Sequence, residues 1–337
     1  MRKKIRVVQF GVGPIGASIV RLMRQKQSLE IVGAIDNDPA KAGRDVGEVA
    51  RAKDAPWGIA ISATAADVLA KPVDVVVHTT SSYLRDVLEE LLACVSAGSC
   101  VVSTCEELAY PFRKHPDLAV KLDAAAKDEG VALVGTGVNP GFVMDKLVLL
   151  LSAVAQRVDF AKATRIVDAS KRRLPLQKKI GAGMTPDEFQ AQVASGLIKH
   201  HGLPESIALV ADGLGFALDE ISETIEPVIA TEHVKTEFLN VAPGQVAGVH
   251  QIGRGIWQGE DKVFMELQMY VGARQPADSI ELRGEPNLTL AIPGGTHGDI
   301  ATAAVAVNAI PAILAAPAGL RTVAELALKL LPPNATA

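Results

Sequence analysis

The stretch "VVQFGVGPIGASIV", residues 7–20, decides how the rest of the chain is read. Val7, Val8 and Phe10 belong to a strand pattern, a glycine loop follows at once, and Ala17-Ser18-Ile19-Val20 opens a helical pattern. In Gly11-Val12-Gly13-Pro14-Ile15-Gly16, Gly11 permits a tight turn, Gly13 lets a phosphate approach the backbone, and Gly16 lets helix and strand pack closely. The helix N-terminus then offers unpaired N–H groups to an anion. A second strand pattern, "LEIVGAID" (29–36), closes on Asp36, twenty residues after Gly16 and placed to accept hydrogen bonds from ribose hydroxyls. This arrangement points to a nicotinamide dinucleotide held by Gly11, Gly13, Pro14, Ile15, Gly16, Asp36 and Asn37. Asp36 repels a 2′-phosphate and so favours NAD, while Asn37, Lys41 and Arg44 leave NADP open. The competing reading is three glycines that serve turns alone.

Further strand patterns at "VDVVVHTT" (73–80), "CVVSTC" (100–105) and "VALVGT" (131–136) alternate with the helical "YLRDVLEELLACVSAG" and "DLAVKLDAAAKDEG", which end at Gly98 and Gly130. Val- and Ile-rich strands alternating with helices give parallel βαβ units, hence an α/β fold with an N-terminal Rossmann parallel sheet. After Asp145 the rhythm changes. An extended "AKATRIVDAS" (161–170), two helices, and then successive strands from about Glu226 to Pro293 imply an inserted α+β domain with a mixed or antiparallel sheet. A last helix from about Asp299 returns to the first domain. The expected division is 1–145 with 298–337, and 146–297 as the insert.

Hydrophobic residues make up 48% and charged residues 21%, which excludes a disordered chain. The net charge is −4 with no Lys/Arg run, so neither nucleic acid nor a membrane surface is an expected partner. "MRKK" is followed by a strand and a glycine loop rather than a secretory core. The apolar stretch from Ile300 to Leu320 is broken by Asn308, Pro311 and Pro317, and reads as a buried amphipathic helix rather than a membrane span. Cys94, Cys100 and Cys105 make neither a disulfide framework nor a metal-ligand spacing, which fits reduced thiols in a cytoplasmic protein without a metal.

The chemistry-bearing stretch is "VVSTCEELAYP" (101–111), where Glu106 and Glu107 follow a strand. In an open parallel sheet, ligands bind outside the carboxyl ends of the strands, so both acids lie where a substrate meets the cofactor. Ser103-x-x-Glu106 and Thr104-x-x-Glu107 also fit a helix capping box, and only one register can be used. A hydroxy-acid dehydrogenase wants an imidazole and an arginine, and no such pair stands out. A reaction through an iminium cation instead wants an anion beside the carbon that accepts hydride, and a group that takes and returns protons. A half-buried carboxylate serves both needs.

Thr79, Thr80 and Ser81 in "HTTSSYL" are candidates for ribose or phosphate contacts, or for caps of the next helix. Cys105 raises a rival class, an aldehyde dehydrogenase working through a thiohemiacetal. The neighbouring Glu106 opposes a thiolate there, and a buried inert cysteine is favoured.

The loop "GVGPIG", the pair in "VVSTCEELAYP", "GTGVNPGFVMD" (135–145), "VDASKRRLPLQKKIGAGMT" (167–185) and "GGTHGDIATAAVAVNAIPAIL" (294–314) resemble native NAD(P)-dependent amine dehydrogenases. These are related to 2,4-diaminopentanoate dehydrogenase within the dihydrodipicolinate-reductase-like superfamily. The resemblance runs over essentially the whole chain. It implies reductive amination of small ketones and aldehydes with ammonia, reversible as amine oxidation. It also implies a catalytic glutamate at Glu106 or Glu107, with Glu106 the lead, and a homodimer built through the sheet of a substrate-binding second domain.

On this resemblance, Asn139 and Asn308 are candidates for the nicotinamide end of the cofactor, and Phe142, Asp168, His201 and His297 for the substrate. Four of them have a bland alternative: a glycine-rich turn at Asn139, an ion pair of Asp168 with Arg172 or Arg173, packing at His201, and buried backbone at Asn308. Asp299 would cap the last helix. His200-His201 is followed by "GLPES", without the lysine and Ser-Gly-Thr that bind a dicarboxylate in dihydrodipicolinate reductase proper. The remaining alternatives are a 2,4-diaminopentanoate dehydrogenase and a non-catalytic NAD-sensing protein.

Overall fold

The computed structural model describes residues 4–332. Strands and helices first alternate: β1 (Ile5–Phe10), α1 (Pro14–Arg24), β2 (Leu29–Ile35), α2 (Val46–Val49), β3 (Ile61–Ser62), α3 (Ala65–Leu69), β4 (Val75–His78), α4 (Leu84–Ser96), β5 (Cys100–Ser103), α5 (Pro116–Asp128) and β6 (Ala132–Gly135). Then come α6 (Lys146–Ser152), β7 (Arg157–Asp168), α7 (Leu174–Lys179), α8 (Pro186–Ala194), α9 (Leu203–Leu214), β8 (Glu220–Ile229), β9 (Val234–Lys235), β10 (Asn240–Val241), β11 (Val246–Trp257), β12 (Glu260–Tyr270), β13 (Ala277–Glu285) and β14 (Leu288–Pro293). The chain ends its regular structure with α10 (Gly298–Ile313) and β15 (Gly319–Arg321). It divides into two compact units, Met1–Phe142 with His297–Ala337, and Val143–Thr296.

The first unit holds a parallel sheet in the order β15-β6-β5-β4-β1-β2-β3. Its central strands are apolar on both faces because helices cover both: every residue of β4, β5 and β6 is buried. The strand order reverses between β1 and β4, and a crevice opens at such a switch point beyond the carboxyl ends. Helix α10 returns to pack on α1 and against β4, β5 and β6. It is not amphipathic as expected: alanine, valine and isoleucine run around its circumference, with Ala303, Ala306, Val307, Ile310 and Ile313 buried. The small alanines let it lie close to its neighbours on more than one side. Among the described residues, no helix is long and apolar enough to cross a membrane.

The second unit holds a mixed sheet, β14-β13-β7-β12-β11-β8, in which β7 and β12 run parallel and the other pairs antiparallel. Buried and more exposed residues alternate along the later part of β11 and the middle of β12. On β11, Gly253 and Gly255 face α9, where an added Cβ would come within 2.5 Å and 2.8 Å of the Ile207 side chain. Glycine there lets the helix settle on the sheet. The other face of the sheet carries polar groups: the Glu266 carboxylate meets His250 at 3.0 Å and Lys162 at 3.3 Å. Strand β7 starts four residues earlier than its pattern suggested and stops at Asp168, and the short helix α7 follows, which the sequence pattern did not reveal.

Candidate active site

The glycine loop is built from below. Gly11 has φ +87°, a left-handed conformation, and a Cβ there would sit 2.6 Å from the Thr79 carbonyl oxygen. A Cβ on Gly16 would lie 2.0 Å from the Gly11 carbonyl oxygen. The fully buried Gln9 donates from Nε2 to the Gly11 carbonyl at 2.9 Å and to the Thr79 hydroxyl at 3.0 Å. Thr79 in turn donates to the Gly11 carbonyl at 2.8 Å. At Gly13, by contrast, an added Cβ would meet nothing within 4 Å. The loop is therefore packed tight on the protein side and open where a pyrophosphate would approach, at the start of α1. The residues present fit a dinucleotide.

A groove of about 510 Å³ runs past this loop. Gly11, Gly13, Asp36, Asn37, Thr79, Thr80 and Ser81, all singled out from sequence, line it together. Pro14 and Ile15 lie outside that lining, in the first turn of α1. Asp36 is buried and accepts from the backbone N–H of Val12 at 2.7 Å and of Asp38 at 3.0 Å, and from Lys41 at 3.0 Å. Burial works against its ionisation, but these three donors outweigh that and hold its pKa below the usual aspartate value.

Sequence reasoning missed the second wall, Asp86, Val87 and Glu90 on α4. Ser81 donates to Asp86 at 3.1 Å, and Thr80 donates to Glu90 at 2.6 Å. Glu90 also lies 2.8 Å from Nε2 of the fully buried His78, whose Nδ1 is 2.9 Å from the Ser103 hydroxyl. The spacing of Asp86 and Glu90, one helical turn apart just after the "TTSS" run, was the available signal.

Glu106 and Glu107 open a 3-10 turn, Glu106–Ala109, directly past β5. Neither expected capping box forms, because the turn starts at Cys105 without a side-chain cap and the Ser103 hydroxyl accepts from the Cys105 N–H at 3.1 Å. Glu107 is buried and caps a different helix: its carboxylate accepts the Leu84 N–H at 2.8 Å, at the start of α4. It also receives Lys114 at 2.6 Å and lies 3.0 Å from Nε2 of His115. Burial alone would raise its pKa, and the Lys114, Leu84 and His115 contacts turn the balance and lower it. Glu106 is only half-buried. Cys105 is buried, and burial drives its thiol far above the ordinary cysteine range, so a thiolate is disfavoured.

Of the other candidates in the first unit, Asn139, Phe142, His297 and Asn308 lie outside the groove lining. Asn139 is buried in the loop after β6, whose Val138 N–H donates to Thr302 of α10 at 3.3 Å. Phe142 is half-buried and ends the first segment of its unit. His297 is exposed and is itself the cap position of α10, which puts Asp299 in the first turn rather than at the cap. The Asn308 side-chain carbonyl accepts the Leu331 N–H at 3.3 Å, the backbone role weighed for it. In the second unit, Asp168 accepts the Ser170 N–H at 2.9 Å and closes the turn after β7. His201 is half-buried just ahead of α9.

Comparison with known proteins gives the same outline. Residues 142–332 match the family described as 2,4-diaminopentanoate dehydrogenase C-terminal domain, and residues 5–105 match dihydrodipicolinate reductase, N-terminus. The chain is 30% identical over 330 residues to 2,4-diaminopentanoate dehydrogenase of Acetoanaerobium sticklandii, covering 96% of this chain and 94% of that one. It is 28% identical to an amine dehydrogenase of Streptomyces virginiae over 78% of this chain and 74% of the relative. Amine dehydrogenase from Mycobacterium smegmatis superposes with a TM-score of 0.83 at 29% identity, over 97% of both chains.

Proposed function

The chain belongs to the family of 2,4-diaminopentanoate and amine dehydrogenases within the dihydrodipicolinate-reductase-like superfamily, and on that premise we propose that it aminates small ketones and aldehydes reductively with ammonia. It is an NAD(P)-dependent oxidoreductase acting on CH–NH2 donors, and the same reaction run backwards oxidises the amine.

One observation carries this reading. The two adjacent carboxylates beyond β5 are chemically unlike: Glu107 is buried and engaged by Leu84, Lys114 and His115, while Glu106 keeps part of its surface exposed. Glu107 therefore holds the turn, and Glu106 meets the substrate. Glu106 takes a proton from the ammonia adduct and returns one to the departing hydroxyl, so that water leaves and C=NH2+ forms. Its negative charge then stabilises that cation. The dinucleotide, when bound, supplies the hydride that reduces the iminium carbon. In sum, carbonyl, ammonia, NAD(P)H and one proton give amine, NAD(P)+ and water.

The test is NADH consumption with and without ammonium across a panel of carbonyl compounds, alongside Glu106→Gln. Ammonium-dependent consumption that disappears in the variant, with NADH binding retained, is the expected result. Turnover that survives the substitution refutes the role of Glu106. Oxidation of diamino acids in the same assay would favour the second reading, 2,4-diaminopentanoate as substrate, which the full-length similarity to that enzyme supports. Dinucleotide binding with no ammonium-dependent turnover on any substrate would point to a sensing protein. The reading includes a homodimer through the second unit's sheet, whose polar face bears Lys162, His250 and Glu266; light scattering on the purified chain checks it.

A further inference from the structure

We propose that the buried imidazole of His78 is a positioning residue for Glu106, acting through Ser103; this rests on the role given to Glu106 above. His78 ends β4 and Ser103 ends the neighbouring β5, and the two stand opposite one another in the sheet. Both are fully buried, in strands whose other residues are apolar. A histidine and a serine cost free energy there unless each finds a partner. Their partners form one chain. Thr80 donates to Glu90 at 2.6 Å, and His78 Nε2 lies 2.8 Å from the same carboxylate oxygen. His78 Nδ1 lies 2.9 Å from the Ser103 hydroxyl, which accepts the Cys105 N–H at 3.1 Å.

The chain has a direction. Burial opposes ionisation of Glu90, but the hydrogen bonds from His78 and Thr80 outweigh it and hold its pKa below the usual glutamate value. A carboxylate only accepts, so Nε2 carries hydrogen, and Nδ1 of a neutral ring is then an acceptor. The Ser103 hydrogen turns to Nδ1, which keeps the oxygen's lone pairs for the Cys105 N–H. Without that partner, a serine hydroxyl in such a two-residue turn rotates freely. His78 removes this freedom at the residue directly before Glu106. The other end of the Glu106–Ala109 turn is fixed separately. Glu107 caps α4, and an added Cβ on Gly135 would come 2.4 Å from the Leu108 carbonyl carbon. Acid, imidazole and serine are the members of a nucleophilic triad, but Ser103 is shut off from solvent and its oxygen faces backbone, so this chain holds rather than reacts.

The experiment combines ammonium-dependent NADH consumption with the best carbonyl compound of the panel, NADH titration and urea denaturation. It is run on the full chain and on Ser103→Ala, His78→Asn, His78→Gln and Glu106→Gln. Asparagine keeps an acceptor near the place of Nδ1 and glutamine a donor near that of Nε2, so the two cut the chain on opposite sides of the ring. Ser103→Ala and His78→Gln should each lower kcat by about tenfold or more, with the carbonyl KM and the NADH Kd within about threefold. His78→Asn should keep at least about threefold more kcat than His78→Gln at a similar urea midpoint. Equal kcat in those two, or kcat losses that simply follow the urea midpoints, would show a merely structural role and overturn the proposal. So would full turnover in Ser103→Ala, which decides alone if a His78 variant does not fold. Full turnover in Glu106→Gln would instead remove the reading of Glu106, and this proposal with it.

Discussion

The Glu107 carboxylate accepts the backbone N–H of Leu84 at 2.8 Å, so an acid that follows β5 caps the helix that follows β4. Two neighbouring βα units of the parallel sheet are thereby tied at their carboxyl ends, next to the crevice. Lys114 and His115 close the remaining sides of the same carboxylate, which is 5% exposed. The immediate neighbour, Glu106, is left in a different environment. That contrast distinguishes the two carboxylates by burial.

Glu107→Ala should therefore act on stability first. It removes a buried acceptor from one backbone donor and two side-chain donors, at a cost on the order of 2–4 kcal/mol. Glu107→Gln keeps an oxygen for Leu84 and should cost less. Urea denaturation of the three proteins measures the difference, and an unchanged midpoint in the alanine variant would contradict the capping role.

The pH dependence follows from the same contacts. The pKa of Glu107 is lower in the fold than in the unfolded chain, despite burial, because Lys114, Leu84 and His115 favour the carboxylate. Its contribution is complete above the ordinary glutamate value of about 4.3 and is lost as pH falls through the lowered folded value. The stability gap between the unaltered chain and Glu107→Gln should be widest near neutrality and shrink below about pH 4. A gap of constant size from pH 7 to pH 3 would falsify this.

Much of this was legible in the sequence, and the parts that were not share a cause. Gly11, Gly13, Gly16 and Asp36 could be placed because their spacing is set by one local βαβ unit, whose geometry follows from short-range sterics. The mixed sheet was visible in the alternation along β11 and β12. The pair Glu106-Glu107 was visible as two acids at the end of a strand but not divisible. Their difference arises from Leu84, twenty-three residues earlier, and from Lys114 and His115, seven and eight later. No local pattern encodes partners brought together by the sheet. Glu90 went unnoticed for the same reason, since its place in the groove depends on His78 lying beneath it. The polar interruptions of α10 predict an amphipathic helix, whereas its alanine content serves packing on several sides.

Gly13 and Gly16 should part company when each is changed to alanine. Gly13 has φ −75°, which alanine adopts freely, and an added Cβ meets nothing within 4 Å. Gly13→Ala should leave the denaturation midpoint intact, or raise stability by up to about 1 kcal/mol. Its methyl would nonetheless stand where a pyrophosphate must approach, and NADH should bind about tenfold more weakly or worse, a loss of roughly 1.4 kcal/mol. Gly16→Ala forces a Cβ to 2.0 Å from the Gly11 carbonyl and should cost about 1–3 kcal/mol in the fold itself. Paired melting and NADH titrations distinguish the two, and equal behaviour would remove Gly13 from the site.

The cysteines should be inert in the native protein. Burial pushes the Cys94 thiol up to about 12 and that of Cys105 higher still. Iodoacetamide at pH 8 should label none of the three until denaturant is added, as mass spectrometry of the intact chain would show. Cys105→Ala should retain turnover. Rapid labelling of Cys105 together with loss of activity in that variant would revive a thiohemiacetal mechanism.

In the second unit, Arg165 and Asp278 form a buried ion pair at 3.0 Å that also holds Thr296, the residue at which the chain leaves that unit. Arg165 donates to the Thr296 carbonyl at 2.9 Å and hydroxyl at 3.0 Å, while Asp278 accepts the Thr296 N–H and hydroxyl at 2.7 Å each. Burial pushes the arginine's pKa down, opposed by Asp278. Removing either charge strands the other in a dry site, so Arg165→Met or Asp278→Leu alone should cost about 3–5 kcal/mol. The double replacement strands no charge and leaves only the Thr296 groups short of partners. Its cost should fall below the sum of the singles by on the order of 1–3 kcal/mol. Strict additivity in that cycle would mean that the two side chains act separately, and that Thr296 is held by something other than the pair.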